Sequence, residues 1–466
     1  MSKKANLIIV NFLYYFAFVV SINDWWSCDI VLTRCFLYCA NFFSEVEMTS
    51  NLADSLFSAQ VQEDSITHLT VGAPGPSLLS RLPSLFREAS ESFLTEDSQF
   101  MFQYGPEAGT EHFRRELAHF LTRRYSDGGE VGEVSPGDLV LTTGATNGLH
   151  LVTSSLVRSG GLVFVENPTY FIALNILSGD MGLTVVPVNM TKHGMEVTEL
   201  EESIAEAAKN HDTNVTDGRF WGMIYTIPTF HNPTGVTVTR NVGERLISVA
   251  KKWNLLILCD DVYNLLNYSR TNEFSRLKAL DTQEEGHVIS NGSFSKILAP
   301  GVRLGWLEAP RHVVTKLRSS GVLLSGGAQN NLMSGMVTSL MTLGHLDTHL
   351  DHSLRVYGER MDRAVRILGT GLPPSWSLSH PGGGYFLWIQ TDQLDLENFI
   401  NWLKNEKKIT VMPGNFASPN SHLERLDKEC FKNSFRISIA YYDLAELEKA
   451  CNDLCCASTE FVKQSS

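Results

Sequence analysis

Short runs of β-branched and other apolar residues alternate with longer stretches of helical periodicity from Met48 onward, and this alternation most constrains the fold. Such alternation favours a mostly parallel sheet with helices on both faces. Several runs end in polar residues, and open α/β sheets bind ligands beyond the carboxyl ends of their strands. The pattern therefore predicts seven strands with a site at that edge. The runs are Leu139–Thr142, Leu162–Val165, Thr184–Val188, Gly222–Tyr225, Leu255–Cys259, His287–Ser290 and Arg303–Leu307.

A smaller second domain is predicted towards the C-terminal end. The stretch from Gly344 to Leu368 has a period near 3.6 and indicates one long connecting helix. The glycine-led strand Gly382–Ile389 and the alternating strand Phe435–Ile439 follow it. The predicted organisation is an apolar N-terminal extension at residues 1–47, an N-terminal arm at 48–95, a large domain at 96–340 and a small domain at 341–466.

The composition excludes some classes of partner and site. The 466 residues carry a formal net charge of −13, with a sequence pI of about 5.6. Nucleic acid is therefore not expected as a partner, because its phosphates require a basic face. The eight cysteines have no paired CxxC spacing, so neither a metal site nor a disulfide framework is predicted. Reduced thiols favour a cytoplasmic location.

The first 47 residues differ in character from the rest. Lys3 and Lys4 precede an apolar segment at residues 5–22, which is the layout of a signal peptide or a short signal anchor. A membrane span needs about 20 apolar residues, and the uninterrupted run is shorter than that. Met48 begins sequence typical of a soluble protein, which indicates an alternative start or a dispensable extension. A membrane anchor through residues 5–22, or an organellar location, is the alternative.

The stretch Ser293-Phe294-Ser295-Lys296, with Arg303 downstream, follows the sixth apolar run. Lysine is the side chain that condenses with an aldehyde, and hydroxyls with an arginine fork are donors that bind a phosphate ester. Taken alone, the motif predicts either a Schiff-base lysine beside a phosphate or an ordinary solvated loop. The glycosylation acceptor Asn291-Gly292-Ser293 overlaps it, and a glycan there would block a site, which argues against secretion.

Two further strand ends carry candidate ligand-binding residues. The first run leads into Gly144-Ala145-Thr146 and a helical pattern. A helix N-terminus here would direct free backbone N–H groups at an anion, and a plain N-cap is the alternative. The second run leads to Tyr170, whose ring either stacks on a planar cofactor or packs on Phe171 in the core.

The fourth and fifth runs lead to Asn232 and Asp260. Asn232 lies in the turn sequence Asn-Pro-Thr-Gly and can donate its amide to an aromatic oxygen, while His231 is predicted to be a turn residue rather than a catalyst. A carboxylate that closes a buried strand needs a cationic partner, such as a protonated pyridine nitrogen. Asp260 is preferred over Asp261 for this role, because its spacing to Tyr263 lets both side chains reach one ring. Asp261 is expected to face solvent or to cap a helix.

Together these motifs resemble the fold-type I pyridoxal-phosphate aminotransferases of class I/II over roughly Leu69 to Lys449. Tyr104 in its Gln-Tyr-Gly-Pro setting, and the seven-residue step from Lys296 to Arg303, are most similar to the kynurenine/2-aminoadipate aminotransferase branch. The resemblance implies a mostly parallel seven-stranded sheet sandwiched by helices, plus a smaller α+β C-terminal domain. The residues that carry it, in order, are Gly144-Ala145-Thr146, Tyr170, Asn232-Pro233, Asp260 with Tyr263, Ser293-x-Ser295-Lys296, Arg303 and Arg436.

The resemblance implies pyridoxal 5'-phosphate as the cofactor. Lys296 would form a Schiff base with it, be displaced by the substrate amine and then move a proton as general acid–base. Asp260 would keep the ring nitrogen protonated, and Tyr170 would stack on the ring. The other cofactor contacts would be Asn232 and Tyr263 at the ring oxygen, Gly144, Ala145, Thr146, Ser293, Ser295 and Arg303 at the phosphate, and Tyr104 at the phosphate of the neighbouring subunit in a homodimer.

The resemblance also implies substrate contacts. Arg436 would bind the α-carboxylate through its guanidinium, with Asn232 beside it, unless it is an edge-strand charge that faces solvent. Gly72 would lie where the N-terminal arm folds over the substrate. Tyr385 and Phe386 either line the pocket or belong to the core.

The predicted function is a ping-pong exchange of an amino group between an amino acid and a 2-oxo acid. The resemblance suggests 2-aminoadipate, kynurenine or another large or dicarboxylic amino acid, with 2-oxoglutarate as acceptor. A β-eliminating C–S lyase or a cyclopropane-carboxylate synthase-like enzyme would keep the same cofactor residues and is the alternative. A cofactor-binding regulator would need a basic helix-turn-helix ahead of the domain, which the apolar segment before Met48 does not resemble.

Overall fold

A large sheet of eight strands is the centre of the computed structural model, which describes residues 65–94, 96–127, 132–213, 217–268, 276–283, 285–326, 330–392, 396–419 and 431–465. The strand order is β2-β9-β8-β7-β6-β3-β4-β5. Neighbours from β8 through β4 pair in parallel, whereas β9 runs antiparallel to both β8 and β2. Its strands are β2 (Leu139–Thr142), β3 (Val157–Asn167), β4 (Thr184–Thr191), β5 (Gly194–Met195), β6 (Phe220–Thr226), β7 (Leu256–Asp260), β8 (Val288–Ser293) and β9 (Gly305–Glu308).

All seven predicted strands are present, and β5 is an additional strand of two residues that turns back antiparallel on β4. The predicted α/β class, with a mostly parallel sheet, is therefore confirmed. The described α-helices are α1 (Pro76–Leu79), α2 (Leu82–Phe93), α3 (Glu111–Asp127), α4 (Ala145–Leu156), α5 (Phe171–Leu174), α6 (Val197–Ala208), α7 (Arg240–Trp253), α8 (Leu277–Leu280), α9 (Phe294–Ile297), α10 (Arg311–Arg318), α11 (Gly321–Gly326), α12 (Asn331–Thr342), α13 (His345–Gly371), α14 (Leu396–Lys407) and α15 (Leu444–Ser465).

Both faces of the large sheet are buried, because alternate residues of its central strands enter two separate apolar clusters. In β7, Leu256 and Leu258 belong to one cluster together with residues of α4. Ile257 and Cys259 belong to the other, together with residues of α6 and α7. Side chains alternate between the two faces of a strand, so helices on both sides explain why these strands are apolar at nearly every position.

A second, antiparallel sheet follows the long helix α13, as the sequence predicts. Its strand order is β10-β11-β14-β13, from β10 (Ser377–Leu378), β11 (Phe386–Gln390), β13 (Met412–Pro413) and β14 (Ser434–Ser438). β14 pairs with β11 on one side and β13 on the other, so Arg436 lies in an inner strand rather than at an edge. The predicted boundary between residues 340 and 341 falls near the end of α12 and stays a prediction.

The N-terminal arm is anchored to this second sheet region. β1 (Thr67–His68) pairs in parallel with β12 (Ile409–Thr410), and the amide of Ser438 donates to the carbonyl of Leu69 at 2.7 Å. These bonds bring Thr70–Gly75 close to the lysine loop. The predicted apolar extension, residues 1–47, lies outside the described residues. Within the ranges described above, no helix has the length and apolar character to cross a membrane.

Candidate active site

Lys296 lies directly beyond the end of β8, in the first turn of α9. The hydroxyl of Ser293 caps this helix by accepting from the amide of Ser295 at 3.1 Å, which fixes the start of the turn. The Lys296 Nζ donates to the carbonyl of Gly72 in the N-terminal arm at 2.6 Å. Burial lowers the pKa of this amine to about 8. Lys296 therefore lies in an enclosed site and not in a solvated loop.

Asp260 closes β7 and is 9% exposed. Its Oδ2 accepts from the Tyr225 hydroxyl at 2.7 Å, whereas its Oδ1 is buried without a hydrogen-bond partner. Burial raises the pKa of this carboxyl to about 6. A buried acceptor without a partner is costly, and a cationic N–H donor is the partner that would offset that cost most strongly. Asp260 is therefore suited to a protonated ring nitrogen.

Gly144 and Arg303 form one side of an anion cradle. Gly144 precedes α4 with φ at +101°, a conformation that glycine adopts without strain. A Cβ on this residue would lie 3.1 Å from an Arg303 guanidinium nitrogen. Arg303 donates to the Thr143 carbonyl at 3.1 Å and reaches the Ser295 hydroxyl at 3.5 Å, so it links the lysine loop to the start of α4. The free N–H groups of Ala145 and Thr146 in the first turn of α4 complete a site suited to phosphate.

Aromatic rings lie around the lysine. The Lys296 Nζ lies 5.9 Å from the ring centre of Tyr263 and 5.8 Å from that of Tyr385. Tyr263 makes edge contacts with Tyr385 and with Phe386, at ring-centre distances of 5.5 Å and 5.7 Å. Tyr385 and Phe386 are thus both core residues and neighbours of the site. Burial raises the pKa of Tyr263 far above its usual range, so its hydroxyl stays protonated and available as a donor.

Tyr170 is half-buried beyond the end of β3. Its ring packs edge-on against Phe171 at 5.7 Å, which is the packing alternative considered from the sequence. It also interacts electrostatically with Asp260 and Arg436, and burial with the nearby Asp260 charge raises the pKa of its hydroxyl. Tyr170 therefore has both a packing contact and a position beside the candidate site.

Arg436 is 3% exposed and faces this site, not solvent. One guanidinium nitrogen donates to Asn232 Oδ1 and another to the Thr70 carbonyl, both at 2.7 Å. The guanidinium carbon lies 4.0 Å from the ring centre of Phe386, and Nε is buried without a partner. Burial lowers the pKa of Arg436 to about 10, so the guanidinium is charged at neutral pH. A buried guanidinium with spare donor capacity is suited to a carboxylate.

Two predicted residues occupy less central positions. Gly72 lies over the site, where a Cβ would meet the Phe386 ring at 2.8 Å, and its carbonyl binds the lysine amine. Tyr104 is 80% exposed and lies beside Gly326, so it is not part of the group around Lys296 in its own chain. An exposed tyrosine agrees with the predicted reach into a neighbouring subunit, which stays a prediction.

The expectation for Asp261 is wrong. This residue is 2% exposed and its Oδ2 accepts from the Ser290 hydroxyl at 2.5 Å, with the buried Arg276 nearby. Because β7 is covered on both faces, the residue after Asp260 enters the opposite side of the sheet rather than solvent. Asn291 is also fully buried, so its acceptor sequence is not available for glycosylation in the folded protein.

Sequence reasoning missed a buried pair behind Asn232. Glu166 and His231 are both 0% exposed, and His231 Nε2 lies 3.1 Å from Glu166 Oε2. The only available signal was a glutamate at the end of an apolar strand. Tyr225, the partner of Asp260, was likewise assigned to a strand without a role.

A lysine of lowered pKa, an unpaired buried carboxylate and an anion cradle define a site for a phosphorylated, nitrogen-containing ring aldehyde. Residues 65–454 match the family model "Aminotransferase class I and II", and the chain belongs to this family. It is a transaminase, and pyridoxal 5'-phosphate is its cofactor. Bound to a lysine, this cofactor withdraws electrons from the substrate carbon that bears the amine. The Oδ1 of Asp260 and the Gly144–Arg303 cradle fit its nitrogen and phosphate ends.

The chain is 30% identical to an aromatic-amino-acid aminotransferase of Thermococcus litoralis, over 70% of this chain and 74% of that protein. Its fold is similar to a kynurenine aminotransferase of Pyrococcus horikoshii, with a TM-score of 0.75 and 26% identity, covering 90% of this chain and 95% of that one. An uncharacterised helix-turn-helix transcriptional regulator of Bacillus subtilis, YisV, is 28% identical over 69% of this chain. This last match spans only 60% of the regulator.

Proposed function

We propose that this enzyme transfers the amino group of a large, neutral amino acid such as kynurenine or an aromatic amino acid to a 2-oxo acid. The observation that carries the proposal is the set of rings around the Lys296 amine, whose Nζ lies 5.9 Å from the ring centre of Tyr263 and 5.8 Å from that of Tyr385. Burial lowers the pKa of this amine to about 8. An amine with a pKa near neutrality supplies the uncharged nucleophile that condenses with an aldehyde.

Lys296 binds the cofactor aldehyde and later moves the proton at the substrate carbon that bears the amine. Asp260 directs Oδ1 at the ring nitrogen. Asn232 and Tyr263 donate to the ring oxygen, because the Asn232 oxygen is already engaged by Arg436 and leaves its amide nitrogen to donate. Tyr170 packs against the ring.

The phosphate is bound by residues from two loops and from the neighbouring subunit. Gly144, Ala145 and Thr146 contribute backbone N–H groups and a hydroxyl, and Ser293, Ser295 and Arg303 contribute side chains from the lysine loop. Tyr104 reaches the phosphate of the partner subunit in a homodimer. The exposed position of Tyr104 supports this last assignment.

Arg436 anchors the α-carboxylate, and the carbonyl of Gly72 closes the site from the arm. A substrate with a second carboxylate would need a further cation. Tyr263, Tyr385 and Phe386 instead surround the lysine with rings. The described residues therefore favour an aromatic side chain over 2-aminoadipate.

A half-reaction screen tests this proposal. The purified holoenzyme is mixed with single amino acids, and the visible absorbance of the bound cofactor is followed as the amine is transferred. We expect conversion by kynurenine or aromatic amino acids to be at least about tenfold faster than by 2-aminoadipate, which corresponds to about 1.4 kcal/mol of discrimination. Equal rates would contradict the specificity assignment.

A second measurement separates transfer from elimination. Release of pyruvate and ammonia without any 2-oxo acid acceptor would identify a C–S lyase instead. Comparing 2-oxoglutarate with a monocarboxylic 2-oxo acid as acceptor tests the same demand for a second cation, because 2-oxoglutarate carries an additional carboxylate. Lys296→Ala is the control, since it removes the nucleophile.

A further inference from the structure

Glu166 carries a fully buried carboxylate that accepts two hydrogen bonds at the end of β6. Its Oε1 accepts from the Thr226 hydroxyl at 2.5 Å, and its Oε2 accepts from the amide of Ile227 at 2.9 Å. His231 Nε2 lies 3.1 Å from the same Oε2 without forming a hydrogen bond. Glu166 is therefore in contact with both the end of β6 and the turn that carries His231.

The other ring nitrogen of His231 contacts Thr234. Nδ1 lies 2.9 Å from the Thr234 hydroxyl and accepts from the Thr234 amide at 3.4 Å. The Thr234 hydroxyl in turn accepts from the amide of Val236 at 3.3 Å. The His231 ring is therefore held by Thr234 at Nδ1 and lies against Glu166 at Nε2.

This arrangement fixes the turn that presents Asn232. The amide of His231 donates to the Val236 carbonyl at 2.8 Å, and the Gly235 amide donates to the His231 carbonyl at 2.7 Å. Glu166, at the end of β3, contacts the turn through His231, while Arg436 donates to the Asn232 side chain at 2.7 Å. Asn232 is thus held both through its turn and through its own side chain.

We propose that Glu166 and His231 are positioning residues that hold Asn232 between the cofactor ring oxygen and Arg436. This inference rests on the proposed function, since it gives the pair a role through Asn232. The charge of Glu166 also acts on Asp260, because its negative charge opposes ionisation of that carboxyl and contributes to its raised pKa. The pair therefore influences both the oxygen side and the nitrogen side of the ring.

The position of Asn232 can be followed by titrating the visible absorbance of the bound cofactor with pH. A donor at the ring oxygen stabilises negative charge there and makes the proton on the lysine–cofactor linkage easier to lose. Displacing Asn232 should therefore raise the midpoint of this titration. We expect His231→Ala and Glu166→Gln each to raise it by about half to one pH unit, the effect of one ordinary hydrogen bond.

The KM for the amino acid gives a second readout, because Asn232 is an acceptor for Arg436. We expect the KM to rise about three- to tenfold in both variants. His231→Gln keeps an amide donor of similar reach. Compared with His231→Ala, it should restore most of the wild-type titration midpoint and most of the wild-type KM. Glu308→Gln is the matched control: Glu308 is a buried glutamate, 6% exposed, that is paired with Arg276 at 2.7 Å. The Glu308→Gln substitution should lower the melting temperature without changing the midpoint of the absorbance titration or the KM.

Variants at Glu166 and His231 that lower only the melting temperature, with an unchanged midpoint and KM, would overturn the inference and leave the pair a structural role. Should Glu166→Gln not fold, His231→Gln and His231→Ala carry the same comparison. A wild-type protein that showed no cofactor absorbance dependent on Lys296 would instead contradict the proposed function, so the two failures are distinguishable.

Discussion

Asp260→Asn gives the sharpest test of the cofactor site, because it exchanges a charged acceptor for a neutral group of the same shape. In the cofactor-free protein, Oδ1 of Asp260 is buried without a partner while Oδ2 accepts from Tyr225. The carboxylate is therefore unfavourable for the cofactor-free fold and favourable once a cationic ring nitrogen faces it. The substitution should act in opposite directions on these two states.

The magnitude follows from the pKa of the buried carboxyl. Burial raises the pKa of Asp260 from an ordinary 3.8 to about 6. An acid whose pKa is raised by folding binds protons more tightly in the folded state, so the stability that depends on it falls as the pH rises through this window. With about 1.4 kcal/mol for each tenfold change in acidity, the carboxylate costs the cofactor-free fold about 3 kcal/mol by pH 7.

The assay is urea unfolding of cofactor-stripped wild type and Asp260→Asn from about pH 4 to pH 7. The unpaired amide of the variant lowers its free energy of unfolding by the same amount at every pH. The test is therefore how the difference in free energy of unfolding between the variant and the wild type changes with pH. That difference should move by about 2.4 kcal/mol in favour of the variant between pH 4 and pH 7, because about 0.5 kcal/mol of the cost is already present at pH 4. Cofactor affinity should fall by about ten- to a hundredfold, since a charge-assisted hydrogen bond is lost. A stability difference that does not change with pH, or an unchanged affinity, would refute the reasoning.

Four further predictions concern the lysine, the arginine and the exposed tyrosine. Burial lowers the pKa of Lys296 to about 8, so the rate of cofactor rebinding to stripped protein should rise about tenfold per pH unit below pH 8 and level off above it in stopped-flow absorbance. Lys296→Ala should abolish the visible absorbance and slow transfer by more than about 10³-fold, and full conversion in the screen would contradict its role. Arg436→Lys should raise the KM for the amino acid by about 10–100-fold with a smaller change in kcat, because a point charge replaces a two-pronged donor. Tyr104→Phe should weaken cofactor retention severalfold by equilibrium dialysis, because the phenol hydroxyl would be lost from the phosphate of the neighbouring subunit; unchanged retention would exclude a contact with the phosphate.

The large sheet was predictable because each of its seven long strands has four or more residues and includes a short run with apolar residues, as in β7, which is buried at every position. β5 and the short strands β10, β12 and β13 contain two residues each, too few to show any periodicity. The site residues at strand ends were predictable for a related reason, since parallel strands place their carboxyl ends at one edge. The hydrogen bond between Arg436 and Asn232 joins residues 204 positions apart, and no local sequence pattern predicts such a contact.

The adjacent pair Asp260 and Asp261 explains both what sequence reasoning achieved and where it failed. Alternation along β7 places Asp260 on the face of Leu256 and Leu258, where Tyr225 and the lysine loop meet it. The same alternation places Asp261 on the opposite face, towards the cluster that contains Cys259. Asp260 was preferred over Asp261 as the acid for the cofactor ring from its spacing to Tyr263 alone, and that spacing can be read from the sequence. Placing Asp261 required knowing that the opposite face is also covered and already holds Arg276 and Ser290 to receive a carboxylate. Two neighbouring acids thus lie on opposite sides of one sheet, and of the two it is Asp260 on which the charge of Lys296 acts.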